Sequence, residues 1–271
     1  MSESTTLTSE SAEGLLRGGV ASPVIEVLPP WCHVFSLEGP VIITIDGPAG
    51  TGKSSVASRL ARRLGLDFLD TGAMYRAAAL VSLDEAISVD EIERDVSRLL
   101  EAVDAADIHF EWPIDKDLLP VITSRGVSIA DRIRHPGVDA RVRIVAGIGK
   151  LRERLVSRQR EIAVSHPRLV SEGRDQGSVV FPDASVKFYL TAEAQVRAKR
   201  RADQFRAAGL VADEAAILQE INERDSSDQR RSVGPLVCPP DALIVDSSKM
   251  EFARVIDELE RLVRARAGNA D

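Results

Sequence analysis

The chain has 271 residues, of which 44% are hydrophobic and 28% charged, the composition of an ordinary globular protein with enough length for one sizeable core. A net charge of −7 and a pI near 5.3 argue against nucleic acid as a partner, so small anionic ligands would have to be caught by local Arg and Lys clusters. Two cysteines, Cys32 and Cys238, argue against a disulfide framework or a zinc site, and no run reaches the ~18 apolar residues that span a membrane.

The opening residues, MSESTTLTSE, lack the basic and apolar regions of a secretory signal, and the expected location is the cytoplasm. Residues 1–38 are rich in Ser, Thr, Glu, Gly and Pro without helical or strand period, which predicts a disordered extension. The alternative is an arm docked through Trp31 and Phe35. One domain is expected over 39–271. It opens with VIITID at 41–46, a β-branched apolar run bounded by Gly39 and Pro40, the pattern of a buried parallel strand. From Ser54 to Leu64 the period becomes helical, with Val56, Leu60 and Leu64 four apart. The short strand DFL follows, then DTGAMYR, where Asp70 ends the strand and Thr71 and Gly72 make a turn capping a helix. Residues 84–136 break the rhythm with one acidic helical stretch and the β-like pieces IHFEW and LLPVITSRGVS, which predicts a small antiparallel insertion. Strands are expected at RLVSEG, VKFYLT and ALIVDS, with helices near 140–163, 193–208, 213–225 and 250–265. Strands alternating with helices predict an α/β fold, a parallel sheet flanked by helices.

Between the first strand and the first long helix stands GPAGTGKSS. Gly47, Gly52, Lys53 and Ser54 have the G-x-x-x-x-G-K-[ST] spacing of a P-loop. The chemistry needs these residue types. Glycines let backbone N–H groups turn inward around phosphates, with Pro48, Ala49, Gly50, Thr51 and Ser55 completing the cradle. Lys53 puts a charge at the β and γ groups, and the Ser54 hydroxyl can join a Mg²⁺ shell. Binding of a nucleoside triphosphate is the firmest chemical expectation. An NKxD guanine-reading sequence is missing, which argues against a GTPase.

Three segments far apart in sequence concentrate arginine. DTGAMYR carries Tyr75 beside Arg76, an aromatic–cation pair suited to a base or a phosphate, or else a capped helix with a solvated Arg. SEGRDQGSVVFPDA leaves an apolar strand and bends through Arg174 and Asp175, where parallel sheets place ligand loops; a loop ion pair is the equal alternative. NERDSSDQRRSVGPL spaces Arg224, Asp228, Arg230 and Arg231 three and four apart just past a helix, as a polyanion clamp on a mobile flap or as a solvated helix end.

Taken together, IDGPAGTGKSS, DTGAMYR, EGRDQGSVVFPDA, VKFYLTA and ERDSSDQRR with SVGPL behind it resemble bacterial cytidylate kinases, within the nucleoside monophosphate kinases, from about Pro40 to about Val263. The resemblance implies a P-loop NTPase-type sheet with a lid over about 200–232. It implies transfer of the γ-phosphoryl group of ATP to CMP or dCMP with Mg²⁺, by a monomer. It places Thr71, Tyr75, Arg76, Arg134, Arg152, Arg174, Asp175, Asp228 and Arg231 around the acceptor, and Lys53, Arg174, Arg224 and Arg231 around the transferred phosphoryl. The chain departs from the family in three ways. Arg143 stands where a small hydroxyl residue contacts the cytosine, VSIADRIR is about two residues longer than usual, and GIGK replaces a Pro-containing segment. A kinase for UMP or another small acceptor, or a nucleotide-binding protein without turnover, are the alternatives. In-line transfer between phosphates needs position and positive charge rather than a general base, with closure excluding water.

Overall fold

The computed structural model describes residues 37–115, 118–207 and 209–267. The extension expected at 1–38, with Trp31 and Phe35, lies outside the described residues except for Leu37 and Glu38. Leu37 packs against the core, and its carbonyl accepts a hydrogen bond from Arg168.

In chain order the elements are β1 (Val41–Asp46), α1 (Lys53–Leu64), β2 (Asp67–Asp70), α2 (Thr71–Asp84), α3 (Val89–Arg94), α4 (Ser97–Ala105), β3 (Ile108–Glu111), β4 (Val121–Ser124) and β5 (Val127–Ser128). There follow α5 (Pro136–Val145), α6 (Gly149–Ser165), β6 (Arg168–Gly173), β7 (Val186–Thr191), α7 (Ala194–Ala207), α8 (Glu214–Arg230), β8 (Leu243–Asp246) and α9 (Phe252–Arg266). Five strands form one parallel sheet in the order β2-β6-β1-β7-β8. The expected antiparallel insertion is present as β3-β4-β5.

The sheet is covered on both faces, which is why its strands read as nearly unbroken apolar runs. On one face Ile43 and Ile45 of β1 and Phe188 and Leu190 of β7 pack on Leu60 of α1 and on Leu259 and Val263 of α9. The other face carries Ala77, Ala78 and Val81 of α2, with Val138, Val142 and Val145 of α5 and Leu151 and Leu155 of α6 behind them. Truncating a core leucine such as the fully buried Leu60 to alanine is expected to cost about 2–5 kcal/mol.

Four boundaries differ from the sequence expectation. The helix expected over 140–163 is two helices: α5 starts at Pro136, whose fixed φ suits the first helical position, and stops before Gly147 and Ile148. The acidic stretch is also two short helices, α3 and α4, the first held by a capping box between Ser88 and Glu91. The turn expected at Thr71 and Gly72 is absent, because Asp70 caps α2 directly by accepting from the Ala73 N–H. Finally, α8 runs five residues past its expected end at 225, so Arg224, Asp228 and Arg230 lie on it and Arg231 is its C-cap. Among the described residues no helix is long and apolar enough to cross a membrane.

Candidate functional site

The chain from β1 returns over one side of the sheet to β2, whereas β6 leads over the other side to β7. Their loops therefore diverge at the carboxyl ends of two neighbouring strands and leave a crevice between them, where open α/β sheets bind ligands. The P-loop fills one side of it. Gly47, Gly50 and Gly52 all have positive φ, which side-chain-bearing residues rarely adopt, and Gly52 passes straight into the first turn of α1. The loop's amides and the positive end of the helix dipole thus face one point. Lys53 is buried and donates to the Pro48 carbonyl at 2.7 Å, across its own loop. Loss of hydration, followed by repulsion from Arg174, pulls its ammonium down to about 7.

Both strands carry an acid at or next to their last residue. Asp46, at the end of β1, accepts from the Gln176 and Gly177 N–H groups at 2.8 and 2.7 Å and so fixes the short π-helical turn Gln176–Val180 after β6. Burial pushes this carboxyl up to about 6 in spite of those two bonds. Glu172, in β6, accepts from the Ser54 hydroxyl at 2.8 Å. Asp70 lies against it, and burial first, then the Glu172 charge, push Asp70 up from the usual carboxylate range.

Next to these acids opens a cavity of about 310 Å³, walled by the start of α2, the end of β6 and its loop, α5, α6 and one face of α8. It brings together Thr71, Tyr75, Arg76, Arg152, Arg174, Asp175, Arg224, Asp228 and Arg231, residues expected at the site from all three arginine-rich segments and from α6. Their contacts form a connected network. Asp228 is held between Arg174, at 2.9 Å, and Arg231. Burial opposes the charge on Asp228, but the two guanidinium groups more than offset it and keep the carboxyl below its usual range. Arg152 is buried, pairs with the equally buried Asp175, and lies 5.2 Å from the centre of the Tyr75 ring. Burial and the neighbouring Arg174 lower Arg224 to about 10. Arg76 donates to the Ile133 carbonyl at 3.0 Å and pairs with Asp139. Thr71 donates to the Glu172 carbonyl at 2.7 Å.

Other expected residues lie elsewhere. Arg134 is exposed on the turn Arg132–Arg134 and is not a wall residue, although its charge still acts on Asp70. The P-loop residues flank the cavity rather than line it, joined to it through Glu172. Arg230 is exposed and also outside the walls. Conversely, Glu172, Glu223 and Ser227 line the cavity without having been singled out. Glu172 had a legible signal, an ionisable residue near the end of a buried apolar strand; Glu223 lies within the helix expected over 213–225, whereas Ser227 became legible only once α8 was known to continue through it. Arg143 is on the wall, where its guanidinium lies 3.8 Å from Glu220 of α8.

Residues 43–265 match the family model described as cytidylate kinase. A cytidylate kinase of Mycobacterium avium is 46% identical over 232 residues, covering 85% of this chain and 98% of that one. One from Rhodopirellula baltica is 43% identical over 83% of this chain and 93% of its own length. One from Azotobacter vinelandii is 40% identical over 84% and 96%. With a family match spanning nearly the whole described chain, and with the P-loop and the arginine network in one crevice, this chain belongs to the cytidylate kinase family.

Proposed function

We propose that this protein transfers the γ-phosphoryl group of ATP to CMP or dCMP, giving ADP and the diphosphate. The observation that carries the reading is the convergence of Arg174, Arg224 and Arg231, each from a segment remote from the P-loop, on one wall of a cavity adjoining Lys53. A loose phosphoryl transition state spreads charge over equatorial oxygens and asks for positioned cations rather than a base. Lys53 and the P-loop amides would hold the donor, while Arg174, Arg224 and Arg231 would surround the transferred group. Arg76, Arg152 and Asp175 would orient the acceptor, with Tyr75 and Thr71 shaping its pocket. The buried Arg152–Asp175 pair offers a donor and an acceptor side by side, the pattern that the edge of a cytosine ring complements.

A divalent cation suits the acidic side of the P-loop, where the Ser54 hydroxyl stands against Glu172 and the crowded Asp70. Mg²⁺ arriving with ATP would be held by Ser54, with those carboxylates behind it, and would supply neutralising charge to the phosphates.

A second acceptor, UMP, is favoured by one feature. Arg143 adds a pure donor to the cavity wall, and uracil offers a carbonyl where cytosine offers an amine. Product formation from ATP with CMP, dCMP, UMP and AMP in parallel decides between them, and absence of any diphosphate product would overturn both. Arg231→Ala is expected to lower turnover about 100-fold while leaving ATP affinity nearly intact; unchanged turnover would remove Arg231 from the transition state.

A further inference from the structure

Arg197, on α7, belongs to none of the three arginine-rich segments, yet it occupies the junction between the P-loop and α8. It is buried, and its single guanidinium has three partners on three elements. Nε donates to the Ala192 carbonyl at 2.9 Å, at the approach to α7. Nη1 donates to the Ala49 carbonyl, inside the P-loop, at 2.9 Å. Nη2 pairs with Asp225 of α8 at 2.7 Å. The packing agrees, since Gly50 faces the Arg197 stem and Ile221 of α8, and a Cβ at Gly50 would stand in van der Waals contact with both.

Each contact orients something that faces a ligand. The Ala49–Gly50 peptide is planar and trans, so drawing the Ala49 carbonyl toward Arg197 turns the Gly50 N–H the opposite way, toward the interior of the loop. On α8, Arg224 and Asp228 lie roughly 60–100° around the helix from Asp225, so fixing Asp225 against Arg197 aims both at the cavity they line. Because a guanidinium is a rigid fork, one partner cannot shift without moving the others. The remaining Asp225 carboxylate oxygen is buried without a hydrogen-bond partner among the described residues. Among those residues, Arg197 is therefore the partner that holds Asp225.

We infer that Arg197 and Asp225 are positioning residues that couple the donor loop to the lid, so that occupation of the P-loop by a nucleoside triphosphate sets α8 over the acceptor cavity. The coupling rests on the proposed kinase reading for its acceptor half only. By reciprocity, donor and acceptor then tighten each other's binding by the same factor.

The test uses the full chain, a non-hydrolysable ATP analogue and CMP. In the wild type the analogue alone slows hydrogen exchange across residues 214–230, and CMP binds about fivefold or more tighter in its presence. In Asp225→Asn each ligand alone binds within about twofold of wild type, but the slowing disappears and the ratio of the two CMP affinities falls toward one; Arg197→Lys, which also frees the Ala49 carbonyl, loses the coupling and weakens the analogue as well. Should Arg197→Lys fail to fold, the milder Asp225→Asn carries the test. Equal slowing of exchange in wild type and Asp225→Asn, or no slowing in the wild type, overturns the coupling. Absence of CMP binding under all conditions would instead remove the acceptor assignment, and the exchange experiment would still decide the coupling.

Discussion

Burial, and then Arg174, pull the Lys53 ammonium down to about 7, because the group has given up water for the Pro48 carbonyl. A lysine in an unfolded chain titrates near its ordinary value of 10.5. Below pH 7 both states are protonated, so the folded protein carries the whole cost of the buried cation. As pH rises from 7 toward 10.5 the folded chain releases its proton first, and that cost is progressively relieved. Lys53→Met removes the charge and keeps an unbranched apolar stem. It is expected to stabilise the protein by about 1–4 kcal/mol near pH 6, with a gain that shrinks between pH 7 and pH 10, and to lower turnover at least about 100-fold. Thermal melts at several pH values check this, and a variant melting below wild type at pH 6 would contradict it. A residue that weakens the fold where the chemistry is proposed is the pattern of a site retained for use rather than for stability.

At the scale of elements, the segment after α8 closes the site from a distance in sequence. Gly234 has a φ of 60°, and a Cβ there would collide with the Arg152 guanidinium and the Asp175 carboxylate. Those groups are almost fully buried and have nowhere to retreat. Gly234→Ala should therefore cost about 1–3 kcal/mol in backbone strain and raise the acceptor KM at least tenfold with ATP binding unchanged. Gly209→Ala, at another positive φ but with open space around it, should show the strain without the KM effect. Matching acceptor KM values in the two variants would argue against a role for the Gly234 contact.

The same segment shows what the sequence could and could not reveal. The P-loop was readable because its strand, glycines and helix are consecutive and each residue type answers a local need. The strands were readable because burial on both faces leaves apolar runs. The break between α5 and α6 was not, since Gly147 is tolerated within a helix and only packing decides whether the chain bends there. Nor was the continuation of α8 through Ser226–Arg230: Asp and Ser have weak helix propensity, and the helix persists because Asp228 is tied to Arg174 by a tertiary contact and to Arg231 at the helix end. The Arg152–Asp175 pair and its glycine cover join three separated segments, so no spacing rule could have exposed them.

Charge on the whole molecule runs opposite to charge in the cavity. The chain carries −7, whereas the cavity walls bring six arginines, Arg76, Arg143, Arg152, Arg174, Arg224 and Arg231, against four acids, Glu172, Asp175, Glu223 and Asp228. A cationic crevice in an acidic protein attracts a nucleotide only at short range, and nonproductive surface binding of anions is suppressed. Raising ionic strength from about 0.1 to about 1 M shortens the screening length from about 10 to about 3 Å. The attraction felt outside the crevice should then disappear, while the paired arginines inside are screened far less. CMP association is thus expected to slow several-fold over that range, with a smaller change in its dissociation rate. Cytidine, which lacks the phosphate, should associate at a rate indifferent to salt. Stopped-flow measurements with both ligands check the difference, and equal salt dependence for CMP and cytidine would show that the crevice's positive field does not guide the acceptor.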